Sequence, residues 1–316
     1  MQKNKKFNSK IVIVGAGGVG SATAYAMAIQ RVCNEIVLVD VNEDKAEGEA
    51  RDISHALPFL AEMKVRSGGY EHCKDADIIV VTAGANRKPH ESRLDLAVKN
   101  AQLSKGIFDN IMKHYTDSVL IIATNPVDVI TSLATKWTGL PASKVIGTGT
   151  TLDTIRLRHE LSRRLNVDAE DVCAYILGEH GDSQFVSWEL SNIGGVDIAT
   201  YYKITGQKFD DEVKSDIAHN VKTGGSQVIQ RKGLTNTGIA ICATSLSASI
   251  LGARNSVYTV GTMLDGTYGI KDVAISTLCL VGEGGVVKQL EYPLVEEELA
   301  LLQHSAKQIK EVLDGV

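Results

Sequence analysis

The chain has 316 residues and a formal net charge of −5; 44% of its residues are hydrophobic and 22% are charged. This balance indicates an ordinary globular protein with room for two domains or one large α/β unit. The negative net charge, without a long run of basic residues, gives no electrostatic reason to expect nucleic acid or an anionic membrane as partner. No apolar run approaches the length of a membrane span and no secretory signal is recognised, so a cytoplasmic location is expected.

A strand, a helix and a second strand are predicted first along the chain. Residues 11–14 are a continuous apolar run rich in β-branched side chains, which is typical of a strand buried on both faces. Residues 19–29 are rich in alanine and predict a helix, and residues 36–39 predict another buried strand. Two strands joined by a helix indicate a βαβ unit in a parallel sheet.

Gly15, Gly17 and Gly20 follow the first strand in the spacing G-x-G-x-x-G. Their roles would be a tight turn, close approach of a pyrophosphate and packing of the helix on the sheet. Asp40 ends the second strand, 20 residues after Gly20, where a carboxylate accepts hydrogen bonds from ribose hydroxyls and repels a 2′-phosphate. Glycine-rich turns are common, but this whole combination predicts a dinucleotide site that prefers NAD.

The rest of the first half alternates between helices and strands. Helices are predicted at 42–60, 94–115 and 127–137, and strands at 64–67, 77–81, 118–123 and 144–146. This alternation predicts a Rossmann-type doubly wound parallel sheet. Thr82, Ala83, Gly84 and Asn125 follow two of these strands, at the edge where such sheets bind ligands, and the polar stretch 85–92 is expected to be a loop.

The pattern changes near residues 148–150. Helices are predicted at 152–165, 210–230 and 237–251 and at the C-terminus, with strands at 172–177, 257–263 and 273–281, the last two antiparallel. We therefore expect an NAD-binding domain over 1–148 and an α+β catalytic domain over 149–316. The five cysteines lack metal-ligand spacing, so free thiols and no metal are expected.

Polar clusters outside the nucleotide motif could carry chemistry. Arg87 and Arg93 lie in and beside the polar loop, Asp153 and Arg156 share one helix face, and His180 stands in the sequence GEHGD. Taken singly, each has an ordinary structural explanation: solvated loop charges, a helix ion pair and a histidine in a turn.

Taken together, the motifs GAGGVG, TAGANRKPHESRLDL, ATNPVD, GTTLDTIR and GEHGDS occur in the order seen in the L-lactate/malate dehydrogenase superfamily. The chain resembles that superfamily from about residue 10 to 313, and most closely its bacterial L-lactate dehydrogenases. The resemblance implies hydride transfer between NAD and a small 2-hydroxy or 2-oxo acid, in a homotetramer or dimer. The competing class is an inactive dinucleotide-binding sensor, which would not need a proton donor.

The resemblance also implies residue roles. Arg156 would hold the substrate carboxylate through two parallel hydrogen bonds. His180 would give a proton to the ketone oxygen, or take it back as a general base, while Asp153 orients the imidazole and raises its pKa. Arg93 would polarise the ketone when the loop closes.

Two further residues would lie beside the substrate. Asn125 would hydrogen-bond near the substrate oxygen and the nicotinamide, and Thr235, in KGLTNTG, would line the substrate pocket. Taken alone, Thr235 could simply cap the helix that follows it, but the joint pattern of motifs favours the pocket role.

The choice between lactate and malate depends on Arg87. Lactate dehydrogenases usually carry Gln at this position and malate dehydrogenases Arg, and a cation here would favour a second carboxylate, as in oxaloacetate. The surrounding residues, among them Glu179, Trp188 and Thr235, favour lactate, which leaves malate second and a branched-chain 2-hydroxy acid third.

The chain also differs from some family members at a position that would bind a regulatory ligand. Members activated by fructose 1,6-bisphosphate pair an Arg with a His at positions occupied here by Arg158 and Cys173. A neutral thiol cannot replace the imidazolium, so weak or absent activation is expected.

Overall fold

A computed structural model of the chain describes residues 8–60, 62–85, 92–252 and 255–316, except the side chain of Arg93. The helices are α1 (Gly18–Gln30), α2 (Glu43–Leu60), α3 (Arg93–Met112), α4 (Val127–Thr138), α5 (Thr151–Leu165), α6 (Ile198–Ile204), α7 (Asp211–Lys232), α8 (Thr237–Leu251) and α9 (Glu296–Asp314). The strands are β1 (Lys10–Val14), β2 (Glu35–Val39), β3 (Lys64–Ser67), β4 (Ile78–Val81), β5 (Val119–Ile122), β6 (Val145–Gly147), β7 (Val172–Leu177), β8 (Phe185–Ile193), β9 (Val196–Asp197), β10 (Ser256–Asp265), β11 (Lys271–Gly282) and β12 (Gly285–Gln289).

The first six strands form a parallel sheet in the order β3-β2-β1-β4-β5-β6. This is the order of a dinucleotide-binding fold, in which the direction of winding reverses between β1 and β4. The predicted doubly wound sheet is confirmed, and its switch point lies at the carboxyl ends of these two central strands.

Helices cover both faces of this sheet. Along β1, Ile11 and Ile13 belong to one buried cluster, while Val12 and Val14 belong to another on the opposite face. Side chains of a strand alternate between faces, so a strand buried on both must be apolar at every position. The unbroken apolar run at 11–14 is explained by this double burial.

The antiparallel strands of the second half extend the same sheet. β10 pairs with β11 and β11 with β12, and β10 meets β6 at the pair Gly261 and Gly147. The sequence predicted the antiparallel pairing of β10 with β11 but not its attachment to the first six strands. Among the described residues, a nine-stranded sheet therefore runs from β12 to β3.

A smaller sheet, β7-β8-β9, packs with α5, α6 and α7 around a separate apolar cluster. The sequence analysis predicted β7, α5 and α7 but missed β8, β9, α6 and β12. β8 breaks the simple alternation of apolar and polar residues, because Glu189 and Asn192 interrupt it and one of its residues, Ser187, is buried. In the part of the chain that the structure describes, no helix is long and apolar enough to cross a bilayer.

Candidate active site

The glycine loop after β1 has almost no space for side chains at two of its positions. Gly15 has φ +109°, and a Cβ built on it would lie 2.6 Å from the Ala83 backbone nitrogen; a Cβ on Gly20 would lie 1.8 Å from the Gly15 carbonyl oxygen. Gly17, at the N-cap of α1, differs because a Cβ there would meet nothing within 4 Å. Gly15 and Gly20 are thus required by packing, whereas Gly17 leaves open space at a helix N-terminus, where a pyrophosphate fits.

Asp40 is fixed directly after β2. The Ala16 N–H donates to its Oδ2 at 2.7 Å, and the Asn42 N–H donates to its Oδ1 at 3.0 Å. These bonds tie the carboxylate to the glycine loop and leave each oxygen a further lone pair. The position of Asp40 beside the loop fits the ribose contact predicted from its spacing.

The segments after β4 and β5 lie side by side. The Thr82 hydroxyl donates to the Gly15 carbonyl at 2.9 Å, and the Thr124 hydroxyl donates to the Ala83 carbonyl at 2.8 Å. A Cβ on Gly84 would lie 2.7 Å from Thr124 Cγ2. The predicted cofactor residues 82–84 therefore border both the glycine loop and the segment that leads to Asn125.

Asn100, on α3, is a residue that the sequence analysis missed. It is almost fully buried; its side-chain oxygen accepts from the Ala85 N–H at 2.8 Å, and its amide donates to the Asn125 carbonyl at 2.7 Å. It thereby joins the ends of β4 and β5 while the Asn125 side chain stays exposed. An isolated Asn within a helix gives no signal of this role in the sequence.

The Asp153 carboxylate contacts both His180 and Arg156. Its Oδ2 lies 2.6 Å from His180 Nδ1, and its Oδ1 accepts from Arg156 Nη1 at 2.9 Å. The Asp153 side chain is 2% exposed, against 28% for His180 and 20% for Arg156. A buried carboxylate thus holds an imidazole and a guanidinium that both reach solvent.

These contacts change the pKa values of two groups. The charge of Asp153 raises the pKa of His180 from 6.5 to about 9, against the opposing effect of burial. Burial of the Asp153 carboxyl raises its pKa, but His180 and Arg156 outweigh this effect and hold its pKa below the ordinary value. Because Asp153 stays ionised, it accepts from Nδ1–H, and the exchangeable proton of His180 is on Nε2.

Asp128, in the first turn of α4, holds the backbone of His180. The His180 N–H donates to Asp128 Oδ2 at 2.7 Å, while Oδ1 is buried and has no hydrogen-bond partner among the described residues. Burial raises the pKa of the Asp128 carboxyl to about 7. The sequence analysis missed this residue, although an acidic side chain among the apolar residues after Asn125 was a usable signal.

The connection between α7 and α8 meets the start of α1. Asn236 Nδ2 donates to the Gly18 carbonyl at 3.1 Å, and a Cβ on Gly18 would lie 2.6 Å from Leu234 Cδ1. Half-buried Thr235 lies between these two residues. The predicted substrate side of the site therefore touches the helix that begins the predicted nucleotide side.

The side chains of the two arginines predicted in and beside the polar loop, Arg87 and Arg93, both lie outside the described part of the structure. Arg87 lies outside the described residues, and Arg93 is the first residue of α3, with only its backbone described. Ser92 caps this helix in a reciprocal arrangement with Asp95, which fixes where α3 begins. Among the described residues, no group of three or more His, Cys, Asp or Glu side chains could hold a metal ion.

Chemically, the arrangement pairs an open phosphate cradle with a proton donor and a guanidinium. A cradle at a helix N-terminus binds the pyrophosphate of a dinucleotide, and a guanidinium binds a carboxylate through two hydrogen bonds. An imidazole of raised pKa delivers or removes a proton. Together these groups suit hydride transfer to or from a carbonyl beside a carboxylate.

Family models match both halves of the chain. Residues 9–147 match the lactate/malate dehydrogenase NAD-binding domain, and residues 150–316 match the lactate/malate dehydrogenase α/β C-terminal domain. NAD is accordingly the cofactor, and the open space at Gly17 together with the fixed carboxylate of Asp40 fits it.

Individual proteins agree with these matches over nearly their whole length. L-lactate dehydrogenase 1 of Clostridium acetobutylicum is 42% identical over 311 residues, which are 98% of this chain and 99% of that protein. The solved minor L-lactate dehydrogenase of Enterococcus mundtii has a TM-score of 0.94 at 40% identity, with 98% of each chain covered. The solved L-lactate dehydrogenase of Clostridium thermocellum has a TM-score of 0.87 at 44% identity, covering 98% of this chain and 99% of its own. The chain belongs to the lactate/malate dehydrogenase family.

Proposed function

We propose that this protein is an NAD-dependent L-lactate dehydrogenase that interconverts pyruvate and (S)-lactate. The observation that carries the proposal is the bridge from Asp153 to both His180 and Arg156, because it places a proton donor and a carboxylate-binding cation on one buried anion. The named relatives support it, since those reported above are L-lactate dehydrogenases.

Arg156 binds the substrate carboxylate. Its Nη1 is engaged by Asp153, and the guanidinium is 20% exposed, so its remaining N–H groups are available to a ligand. The planar fork of Arg matches both oxygens of a carboxylate and fixes how the neighbouring ketone is turned. Lysine, with a single ammonium, could not set this orientation.

His180 moves the proton. In pyruvate reduction, its Nε2–H donates to the ketone oxygen, which becomes the hydroxyl of lactate; in lactate oxidation, the neutral ring removes the hydroxyl proton. NADH, when bound, supplies the hydride that reaches the ketone carbon. Asp153 keeps the Nδ1–H tautomer in place and stabilises the imidazolium formed during lactate oxidation.

The other predicted contacts remain part of the proposal. Arg93 polarises the ketone, Asn125 hydrogen-bonds beside it and Thr235 lines the pocket. Support comes from the start of α3 at Arg93, the exposed side chain of Asn125, and the position of Thr235 next to α1. The cofactor contacts are proposed for the glycine loop, Asp40 and residues 82–84.

Malate dehydrogenase is the alternative raised by Arg87, and the relatives do not favour it. NADH oxidation measured with pyruvate and with oxaloacetate separates the two activities. We expect kcat/KM for pyruvate to be the larger. A larger value for oxaloacetate would replace lactate with malate, and the Arg87→Gln variant, which should then lose oxaloacetate activity far more than pyruvate activity, would identify the cause.

The same assay tests whether the protein is an enzyme at all. NADH binding without turnover of either acid would support the dinucleotide-binding sensor and contradict the proposal. We also propose a cytoplasmic homotetramer or dimer. Exposed apolar side chains on several elements fit a surface buried by a second copy, among them Ile29 on α1, Ile155 on α5 and Ile241 on α8. Light scattering after size exclusion would measure the oligomeric state.

A further inference from the structure

The loop that carries His180 has a glycine on each side of the histidine. This histidine loop, residues 178–183, begins at Gly178, which has φ +94°, and Gly181 follows His180 directly. Glycine leaves the backbone free to adopt several conformations, so the loop does not fix His180 by its own stiffness. The position of the histidine must therefore be set by the contacts that the loop makes.

Glu179 closes the histidine loop on itself. Its Oε2 accepts from the Ser183 hydroxyl at 2.5 Å and from the Ser183 N–H at 3.4 Å. A Cβ built on Gly181 would lie 2.8 Å from Glu179 Cδ, so the carboxylate lies against the backbone that follows the histidine. The Glu179 carboxylate thus joins the two sides of the bend on which His180 stands.

Ser305, on α9, connects the histidine loop to the C-terminal helix. Its hydroxyl donates to the Ser183 carbonyl at 2.6 Å, and the two hydroxyl oxygens are 3.0 Å apart. A Cβ built on Gly178 would lie 2.6 Å from Ser305 Oγ, so this hydroxyl lies beside both ends of the loop. Because the Ser183 hydroxyl donates in turn to Glu179, hydrogen bonds run from α9 to the residue next to the histidine.

The position of Ser305 in α9 is one that packing alone would give to an apolar residue. Ser305 is fully buried, on the same face as Leu302, Ala306 and Ile309. A hydroxyl buried among apolar side chains costs free energy unless it forms a hydrogen bond. Ser247, a buried serine of α8, donates to a carbonyl of its own helix, whereas Ser305 donates to the histidine loop. The Ser305 hydroxyl therefore serves the loop and not the helix.

We propose that Ser305 is a positioning residue for the reaction, which fixes the histidine loop and so keeps His180 Nε2 within reach of the substrate ketone. This inference rests on the proposed function, because it requires His180 to be the proton donor. Asp128 binds the backbone N–H of the histidine and Asp153 binds its ring. Ser305 adds a third attachment, on the far side of the histidine in the chain. Contacts with α4, α5 and α9 together hold a loop that its glycines leave free.

The test replaces Ser305 with Ala and measures pyruvate reduction per NADH-binding site, with the sites counted by fluorescence titration. We expect kcat per site to fall by about 10- to 100-fold, because a small misplacement of a catalytic group costs up to about 100-fold in rate. KM for pyruvate and Kd for NADH should stay close to those of the unmodified enzyme, since neither Arg156 nor the glycine loop is changed. A merely structural role would lower the number of sites and leave kcat per site unchanged.

Ser247→Ala is the matched control, because Ser247 is equally buried and its hydroxyl donates to the Ala243 carbonyl within α8. It should keep kcat per site. Ser183→Ala breaks the link to Glu179 at a half-buried position and should lower kcat per site by about 10-fold or more. It decides the question if Ser305→Ala does not fold.

Two results would overturn the inference: an unchanged kcat per site in Ser305→Ala or, failing that variant, in Ser183→Ala, and a loss of equal size in Ser247→Ala. The second result would mean that removing any buried serine hydroxyl disturbs the enzyme. No turnover of pyruvate by the unmodified protein would instead reject the proposed function itself.

Discussion

Asp153 and His180 lie 27 residues apart in the chain, yet Asp153 Oδ2 and His180 Nδ1 are only 2.6 Å apart. The first residue is in the opening turn of α5 and the second follows β7, and these elements pack directly on each other around shared apolar side chains. The Thr154 hydroxyl adds a bond, because it accepts from the Ile176 N–H at 2.9 Å. Packing of a helix on a strand thus sets the geometry of the proton donor.

Replacing Asp153 with Asn should remove the charge that raises the pKa of His180. We expect kcat/KM for pyruvate to fall by about 100-fold or more, the usual range for loss of positioned acid–base catalysis. The fall in rate with rising pH should also begin at lower pH than in the unmodified enzyme. Asp109→Asn, at an exposed site on α3, is the control and should keep both the rate and the pH profile.

The raised pKa of His180 predicts opposite pH dependences for the two reaction directions. Pyruvate reduction needs the protonated ring, so its kcat/KM should decline as pH rises through about 9, and lactate oxidation needs the neutral ring, so its kcat/KM should increase over the same interval. Steady-state rates measured from about pH 6 to about pH 10 would test this. A pyruvate profile that already declines at the ordinary histidine value would contradict it.

Folding stability should depend on pH through the same group. The pKa of His180 is about 9 in the folded protein against 6.5 ordinarily, so its contribution is fully present below pH 6.5 and is lost as pH rises through about 9. The free energy of unfolding from denaturant titrations should decrease over this interval. The decrease should be smaller in Asp153→Asn, because the asparagine no longer favours the imidazolium.

Arg156→Lys should keep the positive charge but lose the two parallel hydrogen bonds that the guanidinium makes to the substrate carboxylate. We expect kcat/KM for pyruvate to fall by about 100- to 1,000-fold, corresponding to roughly 3–4 kcal/mol, with much of the effect in KM. Affinity for NADH, measured by fluorescence titration, should not change. Arg163→Lys, on the exposed side of the same helix, supplies the matched control; a loss of equal size in that variant would mean that the helix was disturbed and not the carboxylate contact.

Gly20→Ala should lower the stability of the protein, whereas Gly17→Ala should weaken NADH binding. A methyl group at Gly20 would collide with the Gly15 carbonyl, so this variant should be destabilised by about 1–3 kcal/mol or more, as for an overpacked core. Gly17→Ala meets open space, so it should fold normally and bind NADH more weakly. Thermal unfolding and NADH titration on both variants would separate the two effects, and normal stability of Gly20→Ala would contradict the packing argument.

Fructose 1,6-bisphosphate should have little effect on the rate. Cys173 is exposed where activated relatives of the family carry a histidine, and the Arg158 guanidinium is engaged with the Ala174 carbonyl and the Tyr175 ring. A neutral thiol offers no charge to a phosphate. Rates at low pyruvate with and without the bisphosphate should therefore agree within about twofold, a difference that corresponds to under 1 kcal/mol; a large fall in the pyruvate concentration for half-maximal rate would refute the expectation.

Features that depend on local chain geometry were predictable. The run at 11–14 predicted β1, because burial on both faces requires apolar residues at every position. The helix over 42–60 was predicted with its cap, and the structure has α2 with Asn42 Oδ1 accepting from the Lys45 N–H. The order of the motifs, compared with a known family, predicted the fold and the cofactor.

The contacts between distant segments were not predictable from the residues alone, even where a residue such as Asp128 stood out in the sequence. Asp128 reaches His180 across 52 positions, Asn100 reaches Asn125 across 25, and β12 completes the sheet beside β11. A short helix such as α6 and an irregular strand such as β8 give weak periodic signals, because their burial comes from neighbouring elements.

The sequence by itself determined the glycine loop, Asp40 and the set of polar residues that mark the family, because each is encoded in a short stretch whose spacing is the signal. Only the tertiary structure decided that Asp153 binds both His180 and Arg156 and that Asp128 holds the histidine backbone. The physical reason is that these contacts arise where separate helices and strands pack together. Spacing along a chain specifies which residues share one element, and packing specifies which elements meet.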